Sequence, residues 1–100
     1  MKKEVFYTAI QKDGVKTAVK VNGYNDGTFL YYKNEWGRWN AIDRATGLAI
    51  ASIIPTRKEA VKKAHDNINR LLDYQKTEAY KRWVKEFNFC IMEALKHEQL

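Results

Sequence analysis

The segment Pro55-Thr56-Arg57-Lys58-Glu59-Ala60 constrains the fold of this chain more than any other stretch. Thr56 is a favoured N-cap residue, because its hydroxyl can accept a hydrogen bond from a backbone N–H of the first helical turn. Glu59, three residues later, can bond back to the N–H of the cap and complete a capping box. Pro55 favours an extended residue before it and prevents a strand from running on. The segment therefore predicts a boundary, with strands before it and helices after it.

Before this boundary, the chain has the patterns of four or five short strands joined by turns. Apolar residues that alternate or run together mark the predicted strands, which cover residues 4–10, 15–21, 28–33, 36–43 and 48–54. Asp13-Gly14 fits a tight hairpin turn, because such turns need positive φ, and we expect Asn22-Gly23 and Asn25-Asp26-Gly27 to form a second, longer turn region. In the second predicted strand, valines alternate with Lys16 and Lys20, so we expect a buried valine face and a solvated lysine face.

After the boundary, the chain has no glycine or proline and shows helical periodicity. One apolar stripe runs over residues 60–72, and a second, over residues 80–95, is rotated by about 100–130° from it. One straight helix over residues 57–97 would be about 60 Å long. We favour a break between Asp73 and Glu78, with Thr77 as the new cap. The alternative is one long helix that packs against another chain.

Together these patterns predict an α+β fold in a single domain of residues 1–100. It consists of an antiparallel β-meander of four or five strands, at about residues 4–54, followed by two α-helices, at about residues 57–97. The length suits one hydrophobic core and not two.

Composition narrows the function classes. The formal net charge of +6 favours a polyanionic partner. Cys90 is the only cysteine, which excludes an internal disulfide and favours a reducing compartment. No stretch is long and apolar enough to approach a membrane span. We therefore expect a cytoplasmic protein. Ser52, His65 and His97 do not combine with Cys90 into a nucleophile or metal spacing, and there is no glycine-rich phosphate loop. We expect no enzymatic activity, no cofactor and no metal.

Basic and aromatic residues occur together in the middle strands and in the first helical turns. We expect the cations to contact phosphates and Tyr32 or Trp36 to contact bases or sugars. The residues predicted to bind nucleic acid are Lys16, Lys20, Tyr32, Lys33, Trp36, Arg38, Arg57, Lys58 and Lys62. We expect the four strand cations (residues 16, 20, 33 and 38) to share the helix-free side of the sheet. The alternative is that the aromatics cap the core and the helical cations form a solvated face.

Three motifs follow one another in the chain: Trp36-Gly37-Arg38-Trp39, Thr46-Gly47 and the Thr56–Ala60 segment. Their order resembles the arm-type DNA-binding domain at the N-terminus of phage and transposon tyrosine integrases, an AP2-like fold. The resemblance covers about residues 28–73. It implies a three-stranded antiparallel sheet that enters the DNA major groove, with a helix behind it. Two strands precede that region here and a second helix takes the place of the recombinase core, so the resemblance implies a free-standing relative from a phage or mobile element.

The leading hypothesis is a non-enzymatic nucleic-acid-binding module that regulates a mobile element. The competing hypothesis is a protein-binding inhibitor or adaptor that occupies a host protein, such as a phage-encoded anti-defence protein of the anti-CRISPR kind. A third is a structural homodimer built through the C-terminal helix, with Trp83, Phe87 and Ile91 at the interface. The dependence of binding on salt concentration distinguishes the first two hypotheses, because counterion release makes phosphate binding weaken steeply as the salt concentration rises.

Overall fold

The computed structural model describes residues 1–98, which form a five-stranded antiparallel sheet and three helices. The strands are β1 (Lys2–Lys12), β2 (Val15–Asn25), β3 (Leu30–Lys33), β4 (Trp39–Ile42) and β5 (Ala49–Ile54), and they pair in the order β1-β2-β3-β4-β5. The helices are α1 (Arg57–Asp66), α2 (Ile68–Tyr74) and α3 (Glu78–Glu98). The predicted α+β meander is confirmed, with one helix more than expected. Residues 99–100 of the predicted domain lie outside the described residues.

The boundary between strands and helices lies where the sequence predicts it. The Thr56 hydroxyl accepts a hydrogen bond from the Glu59 N–H at 3.2 Å, with Thr56 in an extended conformation at φ −130°. Among the hydrogen bonds of residues 1–98, the Glu59 carboxylate returns none to the Thr56 N–H. The cap is therefore formed, but only as one half of a capping box.

The break in the helical region is also confirmed. The Thr77 hydroxyl accepts a hydrogen bond from the Tyr80 N–H at 3.2 Å and so caps the first turn of α3. A second interruption, at Asn67, separates α1 from α2 and was not predicted. In the part of the chain that the structure describes, no helix is long and apolar enough to cross a membrane.

The two turns predicted before and after β2 have different outcomes. Asp13 (φ +53°) and Gly14 (φ +79°) both adopt positive φ, which confirms the tight β1–β2 turn. The second predicted turn region is confirmed at Asp26-Gly27, between β2 and β3, and wrong at Asn22-Gly23, because β2 continues through both residues to Asn25. Gly23 is needed inside the strand, since a Cβ there would collide with the Tyr31 carbonyl oxygen of β3 and would lie 2.8 Å from the Phe6 ring. Gly23 therefore allows close packing inside a strand and does not form a turn.

Apolar side chains fill both faces of the sheet. On the face covered by α1, the buried cluster comprises Phe29, Tyr31, Ala41, Ala51, Ile54, Ala60 and Ala64. On the opposite face, Phe6, Leu30 and Ile42 form a second buried cluster, with Val21 and Tyr32 packed against it. The first cluster attaches α1 to the last three strands.

The sheet curls over the second cluster. The Ala9 N–H in β1 donates a hydrogen bond to the Gly47 carbonyl at 3.1 Å, so the first strand meets the β4–β5 connection. Gly47 has φ +67°, and a Cβ on it would lie 2.5 Å from the Phe87 ring and 2.7 Å from the Ala9 nitrogen. Only glycine fits where strand, connection and α3 meet.

The third helix covers the lysine face of the hairpin, so the expectation of a solvated lysine face is wrong, and the expected buried valine face is formed only at Val21, which packs against the second cluster. Ala18 is buried, whereas Val15 and Val19 are 61% and 40% exposed. The reason is that a small residue between two long ones leaves room for the helix, while the lysine stems reach around it. The ammonium groups of Lys16 and Lys20 form ion pairs with α3, at 2.7 Å and 3.0 Å.

The apolar stripe of α3 that was expected at a homodimer interface packs inside the chain. Phe87 is 3% exposed, and Trp83 and Ile91 are half-buried. The Lys16 ammonium lies 3.6 Å from the centroid of a Trp83 ring. Trp83 and Phe87 attach α3 to the hairpin, where they line one small cavity with Ala9 and Thr17.

Candidate functional site

Five side chains meet on the helix side of the sheet, beside the first turn of α1. We call Lys3, Tyr24, Lys33, Trp39 and Arg57 the basic–aromatic cluster. Lys3 lies directly opposite Tyr24 in the β1–β2 pair, and Lys33 lies directly opposite Trp39 in the β3–β4 pair. The Tyr24 and Trp39 ring centroids are 6.1 Å apart. Because directly opposite residues share a face, both lysines stand next to this aromatic pair.

Arg57, on α1, is the fifth member of the cluster and packs on its aromatic pair. Its guanidinium carbon lies 4.2 Å from the Tyr24 ring centroid and 5.9 Å from that of Trp39. This is the geometry of a cation–π contact. Arg57 is the first residue of α1, so the Thr56 cap, which fixes the start of the helix, also fixes the place of the guanidinium.

The turn between β3 and β4 presents an exposed tryptophan next to this cluster. The Asn34 carboxamide oxygen accepts hydrogen bonds from the N–H groups of Trp36 and Arg38, both at 3.0 Å. Gly37 supplies the positive φ of +75° that the turn requires. Trp36 is 70% exposed. The turn is therefore held by its own side chain and projects an indole and a guanidinium into solvent.

Asn40 anchors this turn to the rest of the sheet. Its carboxamide oxygen accepts hydrogen bonds from Asn34 Nδ2 at 3.2 Å and from the Ile53 N–H at 3.0 Å. Its Nδ2 donates to the Tyr32 hydroxyl at 2.9 Å. Ile53 has φ +59° and is 62% exposed, at an irregularity in the β4–β5 pairing. The Tyr32 hydroxyl is thus engaged inside the fold.

The positive charge of the cluster is not neutralised by neighbouring carboxylates. Ion pairs within residues 1–98 involve Lys16, Lys20, Arg44, Lys62, Lys81 and Lys96. Lys3, Lys33 and Arg57 form none in this part of the chain, and the same holds for Arg38 on the turn. Along the sequence, the cations of the cluster have Glu4, Glu35 and Glu59 as carboxylate neighbours; Glu4 pairs with Arg44, and Glu35 and Glu59 are exposed. The surplus charge therefore gathers around the aromatic pair.

The structure brings together four of the residues predicted to bind nucleic acid: Lys33, Trp36, Arg38 and Arg57. Lys58 is exposed beside them on α1. Tyr32 is half-buried, and its ring packs edge-on against Phe6 at 6.3 Å.

Three predicted lysines lie elsewhere. The expectation that the four strand cations share the helix-free side of the sheet is wrong. Lys16 and Lys20 stand under α3 and pair with its carboxylates, and Lys33 lies opposite Trp39 on the face that α1 covers. Lys62 pairs with Asp66 at 3.0 Å, one turn along the exposed face of α1. Lys16, Lys20 and Lys62 therefore lie outside the basic–aromatic cluster.

Sequence reasoning missed Lys3 and Tyr24 as site residues, and it named Trp39 among the aromatics without placing it in the site. Tyr24 could have been found from its position in the strand. It lies an even number of residues from Ala18 and Lys20, so all three side chains share one face once β2 continues to Asn25. The predicted turn at Asn22-Gly23 obscured this relationship.

A separate polar cluster joins the β2–β3 connection to α1. Burial opposes ionisation of Asp26. The Phe29 N–H, the Tyr31 hydroxyl, His65 Nε2 at 2.8 Å and the Thr28 N–H outweigh that effect and lower the pKa of this carboxyl from 3.8 to about 2. Thr28 and Phe29 belong to the connection itself and Tyr31 to β3, whereas His65 lies on α1, so the His65–Asp26 pair is a structural contact that joins the connection to α1. In residues 1–98, no three His, Cys, Asp or Glu side chains converge to hold a metal ion.

No family model, curated protein or solved structure matches this chain. Over residues 30–66 the structure has three antiparallel strands followed by a helix packed against all three. The resemblance to the integrase arm-type domain stays a prediction that rests on the short sequence motifs.

Proposed function

We propose that the chain is a non-enzymatic nucleic-acid-binding module whose contact surface is the basic–aromatic cluster together with Trp36 and Arg38. One observation carries the proposal: three cations without ion pairs in residues 1–98 share one surface with the Tyr24–Trp39 ring pair, and one of them, Arg57, has its guanidinium carbon 4.2 Å from the Tyr24 ring centroid. Phosphate contacts by Lys and Arg supply sequence-independent affinity, and aromatic faces stack on bases. The integrase-like motifs support regulation of a mobile element as the role, and the single cysteine supports a reducing compartment such as the cytoplasm.

Each member of the surface has a distinct role in this proposal. Lys3 and Lys33 act as point charges for phosphates. Arg57, whose guanidinium carbon lies 4.2 Å from the Tyr24 ring centroid, supplies N–H groups for bidentate phosphate contacts. Trp36 offers a base a stacking face, and the side-chain-locked turn reduces the conformational entropy that binding would otherwise remove.

The test is fluorescence anisotropy with labelled single-stranded and duplex DNA and RNA over a range of salt concentrations. We expect the triple variant Lys33→Gln, Arg38→Gln, Arg57→Gln to bind more weakly. The slope of log K against log salt should fall by roughly 0.7–0.9 for each phosphate that the variant no longer neutralises. Trp36→Ala should weaken binding by about 1–3 kcal/mol without changing that slope.

A matched control removes the same charge from another part of the molecule. Lys62→Gln, Lys81→Gln, Lys96→Gln replaces three cations that pair with carboxylates on helix surfaces, and we expect it to bind like the unaltered protein. Equal decreases in affinity for both triple variants would show that only net charge matters. No binding by the unaltered protein at about 50 mM salt would refute the proposal.

A further inference from the structure

A groove runs between α3 and the tip of the β1–β2 hairpin. Two adjoining depressions form it, since Lys16 and Glu86 line both. Its walls are Gly14 and Lys16 from the hairpin, and Arg82, Trp83, Lys85 and Phe89 from the helix. We call this surface the α3 groove. It lies at the turn end of the hairpin, whereas the basic–aromatic cluster lies at the opposite end, where Lys3 pairs with Tyr24.

The groove and the surface of α3 beside it expose large apolar side chains that the core does not use, Phe89 within the groove and Met92 next to it. Phe89 is 64% exposed, and Met92, three residues later on the same side of α3, is 58% exposed. The side of α3 that faces the sheet is already occupied by Phe87, at 3% exposure. Aromatic residues and methionine are enriched at protein interfaces, where they fill a partner's pockets. This pair therefore marks a surface available for docking.

The charge of the groove determines what kind of segment it suits. Arg82 and Lys85 form no ion pair within residues 1–98, and they precede Phe89 along the helix. The Lys16–Glu86 pair is weak, because both side chains are half-exposed, at 40% and 50%. A ligand that supplies carboxylates beside apolar side chains would meet the cations and Phe89 together.

We propose that the α3 groove binds an acidic segment of a partner protein that carries large apolar side chains. A second copy of this chain fits less well, since it would bring the same positive surface against itself. The groove accommodates a single peptide segment, and this site is independent of nucleic-acid binding.

The experiment selects a ligand without assuming its sequence. A random peptide library displayed on phage is panned against the immobilised protein, with Phe89→Glu as the counter-selection. We expect enriched peptides to combine Asp or Glu with Leu, Ile, Phe or Trp. Synthetic labelled copies should then bind the unaltered protein, and Phe89→Glu and Lys85→Glu should each weaken that binding at least tenfold.

Two features keep this experiment interpretable. Phe89 and Lys85 are exposed, so both variants should melt at the temperature of the unaltered protein. Trp36→Ala removes a similarly exposed aromatic from the other surface and should leave peptide binding unchanged.

Three results would overturn the proposal. The first is the absence of acidic, apolar peptides after panning, or selected peptides that bind Phe89→Glu as well as the unaltered protein. The second is a particle of twice the chain mass that Phe89→Glu returns to one chain, which would assign the groove to a second copy. The third is binding to phosphatidylglycerol vesicles that Phe89→Glu abolishes, which would assign it to a lipid surface.

Discussion

Replacing Asp26 with asparagine removes one charge and keeps the shape of the side chain, so it isolates what the carboxylate contributes. The Asp26 side chain is only 12% exposed. It accepts hydrogen bonds from the N–H groups of Thr28 and Phe29, at 2.9 Å and 2.8 Å, and from the Tyr31 hydroxyl at 2.5 Å. His65 Nε2 lies 2.8 Å away. We expect Asp26→Asn to fold but to be less stable.

The magnitude follows from proton linkage. Burial works against the charge, but the donors prevail and lower the pKa of Asp26 from 3.8 to about 2. At about 1.4 kcal/mol per pH unit, this difference corresponds to at most about 2.5 kcal/mol. Water reaches the cluster through His65, whose side chain is 42% exposed, so we reduce the expectation to about 1–2 kcal/mol.

Stability should depend on pH in the direction expected for a carboxyl group whose pKa is lower in the folded than in the unfolded state. The stabilisation is present above the unfolded-state pKa near 3.8 and is lost as the pH falls through about 2. Urea denaturation at a series of pH values measures it directly. The free-energy difference between the unaltered protein and Asp26→Asn should be about 1–2 kcal/mol near neutral pH and should vanish towards pH 2.

Asp66→Asn is the matched control. Asp66 forms one exposed ion pair with Lys62, with the carboxylate side chain 62% exposed, so its replacement should change stability by at most about 1 kcal/mol. The reasoning about Asp26 fails if Asp26→Asn and the unaltered protein share a urea midpoint near neutral pH. It fails equally if their difference stays constant down to pH 2.

Three further substitutions test other parts of the fold. Thr56→Ala should lower the unfolding free energy by about 0.5–2 kcal/mol; an unchanged urea midpoint would contradict the cap. Phe87→Ala should lower it by about 3–5 kcal/mol without changing the particle mass in light scattering; a smaller particle would instead place this ring between chains. Ile53→Gly should raise stability by about 1 kcal/mol in thermal melts, because it relieves the positive φ of an exposed β-branched residue; a loss of stability would show that the isoleucine contributes packing there.

The features that could be predicted from the sequence depend on chemistry within a few residues. Thr56 caps α1 through a bond to a residue three positions away, and Thr77 does the same for α3. Asp13 and Gly14 adopt the positive φ that their side chains permit. Local signals of this kind fixed the strand–helix boundary, the helix break and the first hairpin turn.

The features that could not be predicted depend on partners far along the chain. Which face of β2 is covered depends on α3, whose Glu86 and Glu98 reach Lys16 and Lys20 from 70 and 78 residues away. Gly23 resembled a turn residue because nothing nearby indicates that the Phe6 ring packs against it.

The candidate site was predictable in part for the same reason. Lys33, Trp36, Arg38 and Arg57 could be named from their residue types. Their meeting with Lys3 and Tyr24 follows from strand register and from a cation–π contact, and neither can be read from composition.

The dependence of the first hairpin on the last helix sets an order of events during synthesis. The Tyr7 hydroxyl donates to the Glu98 carboxylate at 2.9 Å across 91 residues. At roughly 5–20 residues per second, the ribosome needs about 4–15 seconds to proceed from the end of β2 to the end of α3. For that time the face of the nascent hairpin that α3 will cover remains in water, and lysines on exposed strands discourage edge-to-edge association.

Lys16 and Lys20 therefore act on the nascent chain before their carboxylate partners exist. Valine at both positions would give the nascent hairpin two apolar faces before α3 has been synthesised. We expect the double variant Lys16→Val, Lys20→Val to leave a smaller soluble fraction in cell-free translation than Lys81→Val, Lys96→Val, which removes two cations from α3 itself. Equal soluble fractions would show that the ion pairs with α3 are the only role of these lysines.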